Sequence, residues 1–208
     1  MLNKKTLAEL KKEEKQARRE IILHAAITLF STHKISNVGI RDIAKEAGVS
    51  PALIYRYFDD RDSLFLAVFH KKSEEMIITI TESLEKSSYT TPEIVGREFV
   101  TYLLDNDLFF QMMTYFMLDR DYNDNVVSKL NQTVREILKV FDRAFEHTDV
   151  VNQENMRMYS HAFFASLNGI MITFHNYPGR SEEEAREYIL SLASVIGTQF
   201  NTVKPLKE

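Results

Sequence analysis

The chain has 208 residues, of which 44% are hydrophobic and 27% charged, and it contains no cysteine. This composition excludes a disordered chain, a disulfide-stapled scaffold and a thiolate metal site. The charged N-terminus and short apolar runs predict a cytoplasmic protein without signal peptide or membrane segment. The net charge of −4 is unevenly placed, with +5 over residues 1–72 and −9 over the remainder. This asymmetry indicates either that the basic part contacts a polyanion or that the two parts have differently solvated surfaces.

Helix-forming residues dominate, glycine and proline are scarce, and no segment alternates with period two. We therefore predict an all-α fold. Residues 4–20 form a Lys/Glu/Arg-rich arm that leads into a first helix, whose apolar residues keep helical spacing up to Phe30. Helix two spans about residues 41–46 and ends at Gly48, a residue that favours the left-handed stop of a helix.

Helix three opens with Ser50 as N-cap and Pro51 at the first helical position, where both residue types are favoured. Helix four extends toward Ser87. We expect an N-terminal domain over residues 1–70, formed by the arm and the first helices, and a helical domain over residues 71–208.

The second domain is predicted from its caps and turns. Thr91 and Pro92 restart the helical pattern, and Ser181 with Glu184 forms a capping box before the last helix. A polar loop covers residues 119–125. The other predicted helical segments are 99–104, 109–118, 126–145 and 155–175.

The outer face of helix three is too basic and aromatic for a core. Ile54 and Phe58 lie about 40° apart on a helical wheel and point inward. An outer face with flanking tyrosines suits a DNA groove, because their hydroxyls can donate to phosphates on either side. The outward residues are Ala52, Leu53 and Arg56, with Tyr55 and Tyr57 on the flanks.

Residues 40–65 contain Ile-Arg-Asp-Ile-Ala-x-x-Ala-Gly-Val-Ser, then Ile-Tyr-x-Tyr-Phe, then Arg-Asp-x-Leu-Phe. This pattern resembles the DNA-binding domain of the tetracycline-repressor (TetR) family of transcriptional regulators, and with helix one the resemblance covers residues 20–70. It implies that helix three enters the major groove, that helix two also reaches DNA, and that the two tyrosines and the start of helix four contact phosphates. The predicted DNA-binding residues are Arg41, Ser50, Pro51, Ala52, Leu53, Tyr55, Arg56, Tyr57 and Arg61.

The tip of helix three lacks a polar side chain able to make bidentate hydrogen bonds to bases. Pro51, Ala52 and Leu53 stand where the family often has basic, glycine and small or hydroxylated residues. We infer that Ala52 and Leu53 contact thymine methyl groups, and that Arg41 or Arg56 reads guanine.

Structural alternatives exist for the flanking residues. Tyr57 could pack at the domain seam, and Arg56 could pair with Asp59 or Asp60 in a surface bridge of little energetic weight. The basic arm, Lys4 to Arg19, is either a solvated helix face or a contact with the DNA backbone.

For the second domain the resemblance supplies architecture only: a body that binds a small effector and dimerises through its last two long helices, about 157–175 and 182–201. Gly169 and Gly197 would let two such helices approach closely. We expect a homodimer that reads double-stranded DNA at a pseudo-palindromic operator, with half-sites roughly 34 Å apart. The apolar stripes on these helices, which also suit an intrachain core, are Phe163, Leu167, Ile170 and Phe174, and Leu192, Val195, Ile196 and Gln199.

Residues 108–118 are apolar on all sides and predict a buried helix. It borders either an aromatic, methionine-rich effector cavity or plain core. Such a cavity favours a small hydrophobic or aromatic effector over a sugar or phosphate. The candidate lining residues are Phe99, Tyr102, Leu103, Gln111, Met112, Tyr115, Phe116, Phe141, His161, Phe164 and Asn168.

The sequence contains no catalytic, metal-binding or cofactor-binding motif, so no cofactor is expected. The calcium-loop-like start at Asp119 lacks the required glycine and glutamate, and His161 and His175 lie about 21 Å apart along one helix. The preferred hypothesis is a ligand-responsive repressor. Binding of the effector would shift helix four and move the two copies of helix three in the dimer away from the spacing of the DNA grooves. The alternatives are a DNA-binding scaffold that recruits partner proteins through its acidic body, and a helical hydrolase or lyase, for which no catalytic pair is found.

Overall fold

The computed structural model describes residues 6–87, 90–118, 122–146 and 153–201. All regular secondary structure within these ranges is helical, which confirms the all-α prediction. Residues 4–5 of the predicted arm and 119–121 of the calcium-loop-like segment lie outside them. No helix in these ranges is both long and apolar enough to cross a membrane. The helices are α1 (Leu7–Thr32), α2 (Ile40–Glu46), α3 (Pro51–Tyr55), α4 (Arg61–Glu85), α5 (Pro92–Asp105), α6 (Asp107–Leu118), α7 (Asp124–Asp142), α8 (Gln153–Phe174) and α9 (Glu182–Phe200), with short 3₁₀ helices at Ile35–Asn37 and Arg143–Phe145.

The chain forms two compact units. The first ends at Lys71 and also contains Tyr122–Val126, whereas the second begins at Lys72 and contains the rest. α4 therefore starts in one unit and ends in the other. The sequence-based division at residue 70 did not include the short segment in which the chain returns to the first unit.

The first unit has a core shared by its helices. Ile22 of α1, Ile43 of α2 and Ile54 of α3 are all fully buried. Phe30 packs edge to face on Phe65 of α4, with ring centroids 5.1 Å apart. Gly48 adopts a φ of 65°, the left-handed conformation predicted for the stop of α2.

Two helix caps of the first unit are joined by a hydrogen bond. Asp60 Oδ1 accepts from the backbone N–H of Ser63 at 2.7 Å and caps α4, and Asn123 Oδ1 accepts from Val126 N–H at 3.0 Å and caps α7. Asn123 Nδ2 then donates to Asp60 Oδ2 at 3.0 Å. Burial opposes ionisation of Asp60, but hydrogen bonds from Ser63 and Asn123 outweigh it and lower the pKa of this carboxyl. The bond between the caps explains why the start of α7 belongs to the first unit.

The second unit is built around the packing of α9 on α5 and α8. Gly197 of α9 lies against the backbone of Glu93 in α5, so that a Cβ at this position would lie 2.4 Å from Glu93 Cα. Gly169 of α8 has no atom within 4 Å of the corresponding Cβ position. The prediction that these two glycines bring α8 and α9 together is therefore wrong for Gly197, which permits the approach of α5.

Packing within the second unit also revises the predicted stripe on α8. Phe163 and Leu167 are fully buried within this chain, and a Cβ on Gly96 would lie 2.7 Å from the Phe163 ring. These residues consequently belong to the intrachain core, the alternative left open by the sequence.

We expect Gly197→Ala to lower the free energy of unfolding by at least about 2 kcal/mol, because the added methyl group meets backbone atoms that cannot rotate away. The matched control is Thr198→Ala on the exposed neighbouring position, which improves helix propensity and leaves stability unchanged or slightly higher. Urea denaturation followed by circular dichroism measures both. Equal stability of the two variants would contradict the close approach of α9 and α5.

Candidate nucleic-acid interface and effector site

The orientation of α3 is fixed by its cap and by two buried side chains. Ser50 Oγ accepts from Leu53 N–H at 3.2 Å, and Pro51 occupies the first turn, as predicted. Ile54 is 0% and Phe58 5% exposed. The helix has only five residues, so its position depends on this burial rather than on its own propensity.

The opposite side of α3 is open to solvent. Ala52, Tyr55 and Arg56 are exposed and Leu53 is half-buried. Within the described ranges Arg56 makes no ion pair, so the bridge to Asp59 or Asp60, which the sequence left open as an alternative, is not formed. Arg41 is also exposed, in the first turn of α2. An apolar tip flanked by a phenol and a free guanidinium is suited to methyl groups of bases and to phosphates.

Tyr57 lies at the end of this surface, where α3 meets the extended N-terminal part of α1. It is half-buried and, with Arg56, lines a cleft of about 300 Å³. The other side of the cleft is formed by α1. The residues that α1 contributes are Lys11, Glu14, Lys15 and Arg18.

Arg61 has a structural role that the sequence did not predict, while its phosphate contact stays a prediction. Its Nε donates to the carbonyl oxygen of Val38 at 2.9 Å and its Nη2 to that of Ile35 at 2.6 Å, while Nη1 lies 3.6 Å from Asp62. The guanidinium thus holds the connection between α1 and α2 against the start of α4. Sequence reasoning missed this role because the partners are backbone atoms more than 20 residues away.

Three of the predicted effector-site residues form one aromatic cluster in the second unit. The ring centroids of Phe99, Phe141 and Phe164 lie 4.9 to 5.6 Å apart in every pair. All three side chains are buried. Leu103, Met112 and Phe116 are buried as well, and Tyr115 is half-buried beside Phe116.

Asn168 brings a polar atom into this apolar region. It is one turn from Phe164 on α8 and 5% exposed, and its Nδ2 donates to the Phe164 carbonyl at 2.8 Å. Its Oδ1 is buried and has no hydrogen-bond partner in the described part of the chain. A buried acceptor without a partner is unfavourable, so it is available to a ligand that can donate.

Two polar candidates lie elsewhere. Gln111 is exposed and hydrogen-bonds Asp107 on the surface of α6, and His161 is exposed on α8. Both side chains are therefore open to solvent in the described part of the chain. The helical period had not resolved on which side of each helix these polar residues lie.

Tyr102 faces a different environment from the aromatic cluster. It lines an open groove of about 440 Å³ together with Glu75, Glu98 and Asp105. Burial, and then the negative charge of Glu75, raise the pKa of the Tyr102 hydroxyl to about 12. The hydroxyl stays protonated, and the acidic groove is unsuited to an apolar ligand.

Residues 22–68 match the family model described as bacterial regulatory proteins, tetR family. This segment covers α2, α3, the last part of α1 from Ile22 and the start of α4. It contains the exposed surface around α3 and the hydrogen bonds from Arg61 to the carbonyl groups of Ile35 and Val38. The family and the related proteins are transcriptional regulators rather than enzymes, in agreement with the sequence prediction.

Curated relatives match over part of this chain. An uncharacterised HTH-type transcriptional regulator of Mycobacterium tuberculosis is 38% identical over 68 residues, 31% of this chain and 34% of the relative. The HTH-type transcriptional regulator AcrR of Shigella flexneri is 32% identical over 100 residues, 48% of this chain and 46% of the relative. The matched segments thus span less than half of either relative.

The whole fold is shared with a solved structure, that of the transcriptional regulator FadR from Bacillus subtilis in complex with stearoyl-CoA. The TM-score is 0.64, with 17% identity over 86% of this chain and 97% of that one. At this identity the likeness concerns the fold alone. Over residues 22–68, this chain therefore carries a DNA-binding segment of the tetR family of bacterial regulatory proteins.

Proposed function

We propose that this chain is a sequence-specific DNA-binding transcriptional regulator, a homodimeric repressor that a small hydrophobic or aromatic effector releases from its operator. The observation that carries the proposal is the exposed face of α3, held outward by the burial of Ile54 and Phe58 within a TetR-type domain. Because the proposed binding partner is chromosomal DNA, we expect the protein in the cytoplasm.

The α3 surface supports two kinds of DNA contact. Ala52 and Leu53 supply apolar contacts for thymine methyl groups, while Tyr55 and Arg56 supply donors for phosphates or a guanine edge. One such helix gives few contacts, so specific binding needs a second copy placed one helical turn away along the DNA.

The homodimer is supported by exposed stripes on α8 and α9. On α8 the exposed residues recur at alternating intervals of four and three, the spacing of a helix–helix seam. Small residues in such a seam let two backbones approach closely. On α9, Tyr188 and Val195 are exposed seven residues apart. The α8 residues are Met158, Ala162, Ala165, Gly169 and Ile172.

The effector site is proposed at the aromatic cluster of Phe99, Phe141 and Phe164, with the Oδ1 of Asn168 as its polar contact. Long-chain acyl thioesters are the first class to test, because the FadR structure of the same fold holds stearoyl-CoA. α4 is one uninterrupted helix with buried residues in both units, so a displacement of its second half is transmitted to the helix-turn-helix.

The proposed function is tested by selecting binding sites from sheared genomic DNA with the purified chain at physiological salt, followed by the mass of the complex. Enrichment of a pseudo-palindrome bound by two chains is the expected result. Salt-fragile binding without sequence preference would instead favour a scaffold that recruits partner proteins through its acidic body.

Loss of one phosphate donor is expected to weaken binding without changing the preferred sequence. Tyr55→Phe removes only a hydroxyl, and we expect roughly fivefold weaker binding of both the selected site and unrelated DNA, equivalent to about 1 kcal/mol. Fluorescence anisotropy with labelled duplexes measures the change. Tyr177→Phe, in the turn between α8 and α9, is the control and leaves affinity unchanged; an equal effect of both variants would contradict the placement of α3 on DNA.

A charge in the proposed seam is expected to separate the dimer. Ala165→Arg places a long cationic side chain on the exposed stripe of α8, and the buried charge disfavours association. Sedimentation equilibrium should give the monomer mass, together with loss of binding to the palindromic site. Ser128→Arg on the exposed side of α7 adds the same charge outside the seam and should remain dimeric. A dimeric Ala165→Arg variant would exclude α8 from the interface.

Replacement of Asn168, whose Oδ1 has no hydrogen-bond partner among the described residues, is expected to raise the stability of the chain and abolish its response to the ligand. Asn168→Leu removes the unsatisfied Oδ1 at similar volume, and we expect the free energy of unfolding to rise by about 1 kcal/mol. The increase in Tm on addition of stearoyl-CoA, measured against coenzyme A alone, should be lost. Ser160→Ala is the control, because its buried hydroxyl already donates to Met156 O at 2.9 Å. An unchanged ligand response in Asn168→Leu would remove Asn168 from the site.

A further inference from the structure

The N-terminal part of α1 buries none of its side chains. Every residue of α1 from Leu7 to Arg18 is exposed, and the buried residues of this helix begin at Ile22. Twelve residues extend the helix by about 18 Å. An isolated segment of this length is barely stable in water, so its helical state depends on continuity with the rest of α1 and on its capping box at Thr6 and Glu9.

Three basic and three acidic side chains lie on opposite sides of this part of α1, while Glu14 lies beside the basic ones. At 100° per residue, Lys11, Lys15 and Arg18 fall within an arc of about 60°. Glu9, Glu13 and Glu20 fall within about 40° on the other side. A helix that is merely solvated has no need of this separation.

The acidic side is engaged within the chain. Glu9 accepts from the Thr6 N–H at 2.7 Å, and Glu20 pairs with Lys71 of α4. The hydrogen bonds from Thr6 and from Lys71 lower the pKa of Glu9 and Glu20, respectively, so both carboxylates are held ionised. The rotation of α1, and hence the direction of its basic side, is fixed by its buried residues from Ile22 onward, and the pairing of Glu20 with Lys71 is consistent with it.

The basic side faces the end of α3 across the cleft that Arg56 and Tyr57 line. The cleft carries four basic residues and one acidic residue, Glu14, which pairs with Arg18 at 2.5 Å. In the described part of the chain Lys11, Lys15 and Arg56 make no ion pair. Three cations without partners and a tyrosine hydroxyl thus converge on one open cleft.

We propose that this cleft binds the phosphate backbone of DNA beside the segment that α3 reads, so that the first turns of α1 form a second, sequence-independent DNA contact. The inference rests on the proposed function and extends it. Continuity supports DNA as the occupant, because Arg56 and Tyr57 belong both to the cleft and to the outer end of α3. Charge supports it as well, since a line of cations matches a line of phosphates.

The test is the salt dependence of binding to a 30-base-pair duplex of arbitrary sequence, for the full chain and for Lys11→Gln/Lys15→Gln. Each phosphate contact contributes about 0.9 to the slope of log K against log salt concentration, so the slope should fall by about 1.8 per bound chain. Affinity for the selected site and for the arbitrary duplex should fall by the same factor. Glutamine is a good helix former, and circular dichroism verifies that the helix is retained.

The matched control is Lys86→Gln/Lys129→Gln, which removes the same charge from exposed positions outside the first unit and should keep the wild-type slope. A slope that is unchanged in Lys11→Gln/Lys15→Gln, while the wild-type chain binds DNA, would overturn this inference alone. Failure of the wild-type chain to bind any duplex would overturn the proposed function and this inference with it. A third outcome is that inorganic phosphate, added at constant ionic strength, competes with DNA while Lys11→Gln/Lys15→Gln keeps the wild-type slope. That result would show that the cleft binds a free anion and not the DNA backbone.

Discussion

The burial of Ile54 and Phe58 decides what the first unit can contact. α3 is too short to hold its own shape, and these two side chains fix its rotation by entering the core. Removing a large buried side chain of this kind costs about 2–5 kcal/mol, whereas no single exposed contact of the helix is worth as much. The outward direction of Ala52, Leu53 and Arg56 is therefore a consequence of core packing, and a DNA-reading surface can vary in sequence without loss of the fold.

Local signals in the sequence predicted most of the fold. Ser50, Thr91 and Ser181 cap the helices at which they were expected, and Gly48 has the predicted positive φ. Each of these features depends on residues within a few positions along the chain, where hydrogen-bond and dihedral preferences act directly. The face of α3 was also predictable, because only one rotation of the helix buries both Ile54 and Phe58.

Long-range packing was not predictable from the same signals. Arg61 bonds carbonyl groups that carry no side-chain signature, and Gly197 approaches α5 rather than α8. For the candidate effector site, periodicity identified the aromatic cluster but not the exposed position of Gln111 or His161. An apolar residue predicts burial in any environment, whereas the direction of an isolated polar side chain depends on neighbours that the sequence does not specify.

The return of the chain to the first unit at Tyr122–Val126 has a consequence for dissecting the protein. Because the backbone passes between the units at three places, a cut within α4 does not release a complete N-terminal unit. A fragment that ends at Lys71 would lack Asn123, and with it the amide that donates to Asp60 at the start of α4. The first unit is thus discontinuous in sequence. If evolution replaced the second unit by joining a new sequence after α4, that sequence would have to supply an amide in place of Asn123.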